Sequence, residues 1–316
     1  MTEGDDTYND PNLVWHYTSL GTLVDILKGR SLRATEVRFQ NDPHEARSAR
    51  NALAALLERA AARESAGSFA SYAMQILDGM HALTEWEINE ERLLKNSRFV
   101  LCASRNEDSL YAWRTYGSVG AIGCAIGLDR RKPLGIVGKP AAHIDDWTDV
   151  AYTSDDLGPE FLAELQDFAD EWTRNRDPRQ EDPQTGILMP WLDRLWPAIR
   201  SRAKHPSYLE EQEARITLHA PEPDSISFSD GRFGPRPYVR LGATTKWGLP
   251  STGESLLPIR CIRLAPDAPD AAFESARWIL GMNGYRIDGS LVEPRYDLNT
   301  SDKVPVLASQ HAYRNV

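Results

Sequence analysis

Cysteine is scarce. Cys102, Cys124 and Cys261 are the only three in 316 residues, an odd number with no CxxC spacing. This excludes a disulfide framework and a cysteine-based zinc site, and a reducing cytoplasm is the expected compartment. No run of about 18 apolar residues occurs, which is the length a spanning helix needs. The start MTEGDDTYNDPN has neither the basic nor the apolar region of an export signal. The chain is therefore expected to be neither exported nor membrane-spanning. Positive charge is in deficit, with 36 Lys and Arg against 46 Asp and Glu, a formal net charge of −10. That balance opposes broad affinity for nucleic acid or anionic membrane and leaves room only for a local basic patch. Internal repeats and low-complexity tracts are missing too. The glycines at 117, 120, 123 and 127 do not have the spacing of a GxGxxG dinucleotide fingerprint.

What is present suits a folded core. With 41% hydrophobic and 26% charged residues, the chain can build one large domain or a domain carrying a helical insertion. Leu13-Val14-Trp15-His16-Tyr17 reads as a short buried strand. Ser19 then caps a helix whose Leu20, Leu23, Ile26 and Leu27 share a face and which Gly29 ends. A second strand is expected over 31–35. Asn41-Asp42-Pro43 restarts helix, with Glu45 three residues after Asp42 as in a capping box. A helical stripe runs through Ala49, Leu53 and Leu56, and a further helix is expected over 69–94. Residues 98–104 form an apolar run expected as a central strand. Residues 109–116 give one or two helical turns that set Trp113 and Tyr116 three apart, as two rings lining one wall. The small apolar stretch 120–129 fits a strand closely approached by another backbone or a ligand.

Later segments continue the mixture. An expected strand at 147–153, helices over 160–174 and 188–204, and a linker at 175–185 precede Glu211-Gln212-Glu213-Ala214-Arg215. Period two puts Glu211, Glu213 and Arg215 on one strand face. A hairpin around Ser229-Asp230-Gly231, strands at 238–241 and 257–264 and a helix at 271–282 follow. Strands scattered among helices point to α+β, with a mixed, mainly antiparallel sheet and a helical layer or insertion. The expected organisation is a polar tail over 1–12, one domain over 13–300 with helical insertions near 43–95 and 157–204, and a tail over 301–316.

Each constellation has a plain structural reading. His16 suits a satisfied core histidine, Asp42 and Glu45 a cap, Trp113 and Tyr116 core, and the Glu211, Glu213, Arg215 row a solvated face. Only their combination suggests catalysis. One alternative gathers His16, Asp42, Glu45, Glu211 and Glu213 around Mg²⁺ or Mn²⁺ in a metal-dependent hydrolase or nuclease, since oxygen-rich clusters suit hard cations. Another makes the same residues a noncatalytic ligand-binding or sensor module.

The order HYTS with LxxIL, NDPxE, SLxxWxxY, GxxIGLD, ExExR and a late LPI strand, over roughly 13–287, resembles a family of uncharacterised bacterial proteins. More distantly it resembles the ADP-ribosyltransferase superfamily of the His-Tyr-Glu type, whose DNA- and RNA-modifying toxin branches imply a toxin or phage-defence role. That resemblance implies NAD as the substrate and an unidentified macromolecular acceptor, protein or nucleic acid. By that likeness, His16 would hold ribose hydroxyls, the Tyr17 backbone would meet the nicotinamide amide with help from Thr18, and Tyr116 beside Trp113 would stack on nicotinamide. Glu213 would be the catalytic glutamate, Glu211 its partner toward the acceptor, and Arg215 a fork for a carboxylate or phosphate. Asn41, Asp42 and Glu45 are further site candidates. Cleaving the nicotinamide–ribose bond develops an oxocarbenium ion, which a carboxylate on a ribose hydroxyl stabilises.

Overall fold

In chain order the elements are β1 (Leu13–Ser19), α1 (Leu20–Gly29), β2 (Leu32–Glu36), α2 (Glu45–Ala61), β3 (Arg98–Ser104), β4 (Gly123–Asp129), β5 (Leu134–Ile136), β6 (His143–Ile144), β7 (Thr148–Asp149), β8 (Glu213–His219), β9 (Ile226–Ser229), β10 (Arg236–Ala243), β11 (Ile259–Leu264), α3 (Asp270–Met282) and β12 (Val306–Ala308). They come from a computed structural model that describes residues 10–40, 45–61, 97–117, 121–139, 143–157, 201–219, 221–231, 234–287 and 303–311, with positions 163, 167, 170, 174 and 199. The chain divides into two compact units. One comprises Met1–Thr35, Phe99–Trp147 and Glu210–Val316, the other Glu36–Arg98 and Thr148–Leu209.

The first unit is built on a mixed, mostly antiparallel open sheet in the order β12-β11-β4-β1-β3-β2-β10-β5. β1 and β4 pair along their whole length, from Leu13↔Asp129 to Ser19↔Gly123. β11 lies antiparallel to β4, and β12 runs parallel to β11. Between β1 and β3 the register has a single pair, Trp15↔Ser104. The sheet is thus nearly split there, with β12-β11-β4-β1 on one side and β3 with its neighbours on the other.

Alternation along β1 explains the two cores. Val14 packs into the large core with Leu20, Leu23, Ile26 and Leu27 of α1 and Ala272, Ala276 and Leu280 of α3. Leu13, Trp15 and Tyr17 point the other way, into a smaller cluster with Trp113, Ala125 and Cys261. Ser19 caps α1 as its sequence suggests, its Oγ accepting from the Thr22 amide at 3.1 Å. The helix closes one residue beyond Gly29, on Arg30 at φ 44°. The glycines of β4 work by close approach. A Cβ on Gly123 would lie 2.2 Å from the Gly117 carbonyl oxygen, and one on Gly127 would lie 3.1 Å from the Trp15 ring.

In the second unit α2 buries Ala49, Leu53 and Leu56, the spacing of one helical face. Arg59 there pairs with Asp155. The strand expected over 147–153 reduces to β7, two residues long. Expectations for 69–94 and 175–185, and for most of 160–174 and 188–204, lie outside the described residues. The hairpin at Ser229 is present as β9 and β10, paired from Arg236↔Ser229. The expected tail over 301–316 is corrected in part, because Val306–Ala308 completes the sheet edge and Ser309 donates to Asp108 at 2.7 Å. Among the described residues no helix is long and apolar enough to cross a membrane.

Candidate functional site

The site candidates of the first unit gather where β1, β3 and the start of β8 converge. His16 is half-buried beside the near-split, and its Nδ1 lies 2.9 Å from the Cys102 carbonyl on β3. That geometry makes Nδ1–H the donor and leaves Nε2 as the lone-pair nitrogen. Burial holds the imidazole pKa below its ordinary 6.5, with the Cys102 bond opposing in part. Two residues on, the Ser104 hydroxyl donates to the Glu211 backbone carbonyl at 2.7 Å. Alternate residues of a strand are about 6.6 Å apart, so β3 ties His16 and the Glu211 backbone to neighbouring points.

Glu211 is not on the strand face that alternation assigned to it. It ends the 3₁₀ turn Pro206–Glu211, and Glu213 opens β8. Gln212 between them takes φ 42°, a left-handed conformation that breaks the period of two. The kink separates the two carboxylates. The buried Glu211 Oε1 accepts from Tyr116 OH at 3.0 Å and from Tyr111 OH at 3.4 Å. The buried Glu213 accepts two hydrogen bonds from the Arg215 guanidinium, 2.7 Å from Nε and 3.0 Å from Nη2. Glu213 and Arg215 do share a face, opposite the core residues Ala214 and Ile216. That face is buried, which corrects the solvated reading, and the fork of Arg215 is closed on a carboxylate of this chain.

Trp113 and Tyr116 do not form one wall. Trp113 is 2% exposed, stacks edge-on against Tyr17 with centroids 4.8 Å apart, and donates from Nε1 to Asp108 at 2.7 Å. Tyr116 is 37% exposed. The reason is local, since Trp113–Gly117 winds as a π turn. At 3.6 residues per turn Tyr111 and Tyr116 would stand about 140° apart, whereas an i→i+5 turn draws positions five apart together. Both phenols therefore reach one carboxylate, and Tyr111 joins the site although helical periodicity gave no sign of it.

Tyr17 faces away from His16. Its hydroxyl donates to the Asn106 carbonyl and accepts from the Ser109 amide, both at 2.9 Å, and burial raises its pKa. These bonds lock the loop after β3. By parity His16 and Thr18 belong to the Val14 side of β1, while Glu213 belongs to the opposite side of its own strand. His16 is linked to this region through the Cys102 carbonyl and not by sharing the Glu213 face.

Asn41 and Asp42 lie outside the described residues; Glu45 begins α2, and its side chain is likewise outside them. Among the described residues no three His, Cys, Asp or Glu side chains come together as a group able to hold a metal ion. The Cys124 and Cys261 thiols are pushed up to about 12 by burial, which keeps them protonated and unreactive. Asp108 was missed by the sequence reading. It accepts from Trp113 Nε1, Ser309 Oγ and the Gln310 amide, partners as far as 202 residues away along the chain. Compared with models of known protein families, with characterised proteins and with solved structures, the chain matches none.

Proposed function

We propose that the protein is an NAD-consuming enzyme that transfers ADP-ribose to a macromolecular acceptor. The observation that supports this reading best is the meeting of Tyr116 and Glu211. They come from two blocks 95 residues apart, singled out separately, and lie 3.0 Å apart beside the kink that starts β8. A glutamate at the end of a turn, followed two residues later by a glutamate opening a strand, suits a division of labour between acceptor and donor.

In that reaction the nicotinamide–ribose C–N bond breaks and nicotinamide leaves with the bonding pair. An acceptor oxygen or nitrogen then bonds the anomeric carbon and gives its proton to Glu211. Glu213 stabilises the oxocarbenium charge, with Arg215 fixing its carboxylate in place. The Tyr17 backbone meets the nicotinamide amide and the exposed ring of Tyr116 stacks on nicotinamide, while His16, on the other side of the sheet from Glu213, ties β1 to β3 through the Cys102 carbonyl and does not touch the NAD. Trp113 supports this arrangement from the core.

The test incubates the full chain with labelled NAD and cell lysate, and with NAD alone. Glu213→Gln should retain NAD binding and lose both transfer and hydrolysis, because the charge it opposes exists mainly in the transition state. Glu211→Gln should lose transfer more than hydrolysis. Equal NAD cleavage by wild type and Glu213→Gln overturns the assignment. NAD binding without any cleavage by wild type would instead favour a sensor, a reading to which the closed Glu213–Arg215 pair lends itself.

A further inference from the structure

A cavity of about 240 Å³ in the first unit shares no residue with the candidate site. Leu257, Tyr285 and Val304 give it an apolar floor, and Lys132, Arg260, Arg286 and Lys303 bring four cationic side chains to its lining. In a chain of net charge −10, this is a concentration of the minority sign. Asp129 is the carboxylate of the described lining, and it is already engaged. Arg131 donates from Nε to Oδ1 and from Nη2 to Oδ2, both at 2.9 Å. Burial pushes the Asp129 pKa up, but the Arg131 bonds and the Arg131 and Arg260 charges outweigh it and hold the group ionised below its ordinary value. Lys132 and Arg286 have no acidic partner among the described residues.

The backbone also departs from regularity here. Pairing of β11 with β4 shifts between Ile259↔Leu128 and Cys261↔Gly127, leaving Arg260 as the extra residue of a bulge. Bulges re-aim a side chain and recur beside functional sites, and this one carries a cation of the cavity lining. The Tyr285 hydroxyl is turned inward, donating to the Leu257 carbonyl at 3.2 Å, so its ring and not its hydroxyl serves the floor.

The geometry points to a binding site for a small organic phosphate monoester, its phosphate among Lys132, Arg260, Arg286 and Lys303 and the apolar face of its body on Leu257, Tyr285 and Val304. A phosphate monoester carries about −1.5 to −2 charges near neutrality and three acceptor oxygens, which matches several converging cations better than one carboxylate does. The cavity is smaller than the ~300–1,000 Å³ typical of drug-sized sites, so the ligand is a monoester of one small ring and not a dinucleotide.

Calorimetric titration of the full chain with phenyl phosphate tests the site. Saturable one-to-one binding is expected, weaker at higher salt, and weakened roughly tenfold or more in the K132Q/R286Q variant. It should be unchanged in Glu211→Gln, which separates this site from the transferase reading. If the double variant does not fold by circular dichroism, K132Q and K303Q singly carry the same comparison. No saturable heat, or equal affinity in wild type and the lysine and arginine variants, overturns the proposal. Equal affinity for benzoate overturns its phosphate selectivity, and equal affinity for inorganic phosphate overturns the role of the apolar floor.

Discussion

Replacing Arg215 by Ala removes one half of a buried ion pair whose side chains are 2% and 6% exposed and whose contacts are 2.7 and 3.0 Å long. Surface pairs of this kind contribute little, but water has no ready access here. The buried Glu213 carboxylate would lose the Arg215 charge, and breaking a buried pair in this way costs about 3–5 kcal/mol. Against a typical total of about 5–15 kcal/mol this is a large fraction. With a urea slope of about 1–3 kcal/mol per molar, the unfolding midpoint should fall by more than about 1 M. The companion variant E213L/R215M removes both charges of the pair and should recover most of the loss, since apolar replacements of such pairs are often neutral or better. Urea melts of the single and double variants, followed by tryptophan fluorescence, give the comparison. A midpoint unchanged by Arg215→Ala would mean that solvent screens the pair, and a double variant as unstable as the single one would mean that its worth is not electrostatic. Either result refutes the reasoning. The same melts must accompany Glu213→Gln in any activity assay, because that substitution removes the charge facing the Arg215 guanidinium.

Four further outcomes are expected. Tyr116→Phe keeps the ring and loses one hydrogen bond to Glu211, about 0.5–1.5 kcal/mol, so the KM for NAD should rise much less than in Tyr116→Ala; equal effects would show that the ring does not stack. Gln212→Gly should be neutral or stabilising by up to about 1 kcal/mol because φ 42° no longer opposes a Cβ, while Gly123→Ala should destabilise by about 1–3 kcal/mol through its clash with the Gly117 carbonyl; thermal melts decide both. The folded-state pKa of His16 is depressed by burial, so its contribution is fully present above the unfolded value near 6.5 and is lost as pH falls through the folded value. His16→Asn should therefore flatten the decline of the urea midpoint below pH 6.5, and an unchanged decline would place the titrating group elsewhere.

Local chemistry was legible wherever neighbours in sequence settle it. Ser19 as a cap, the buried stripe of α1 and the β9–β10 hairpin all follow from residues within a turn or a strand of each other. The pairing of Glu213 with Arg215 was likewise within reach, since alternate residues of a strand share a face. What the sequence could not determine is where regular periods fail. Gln212 turns left-handed and moves Glu211 off the strand, and the π turn at Trp113–Gly117 sends Trp113 to the core and Tyr116 to Glu211. Both departures come at junctions where helical and strand rules no longer apply, so no window of 3.6 or 2 can show them. Long-range partnerships were equally hidden. The His16 bond to Cys102 spans 86 residues and the Asp108 clasp on Gln310 spans 202, and such contacts depend on which strands lie side by side. The chain alone thus determined local elements, caps and the faces of regular stretches. Tertiary structure decided which of them meet, because strand order and two local breaks in backbone period place the side chains.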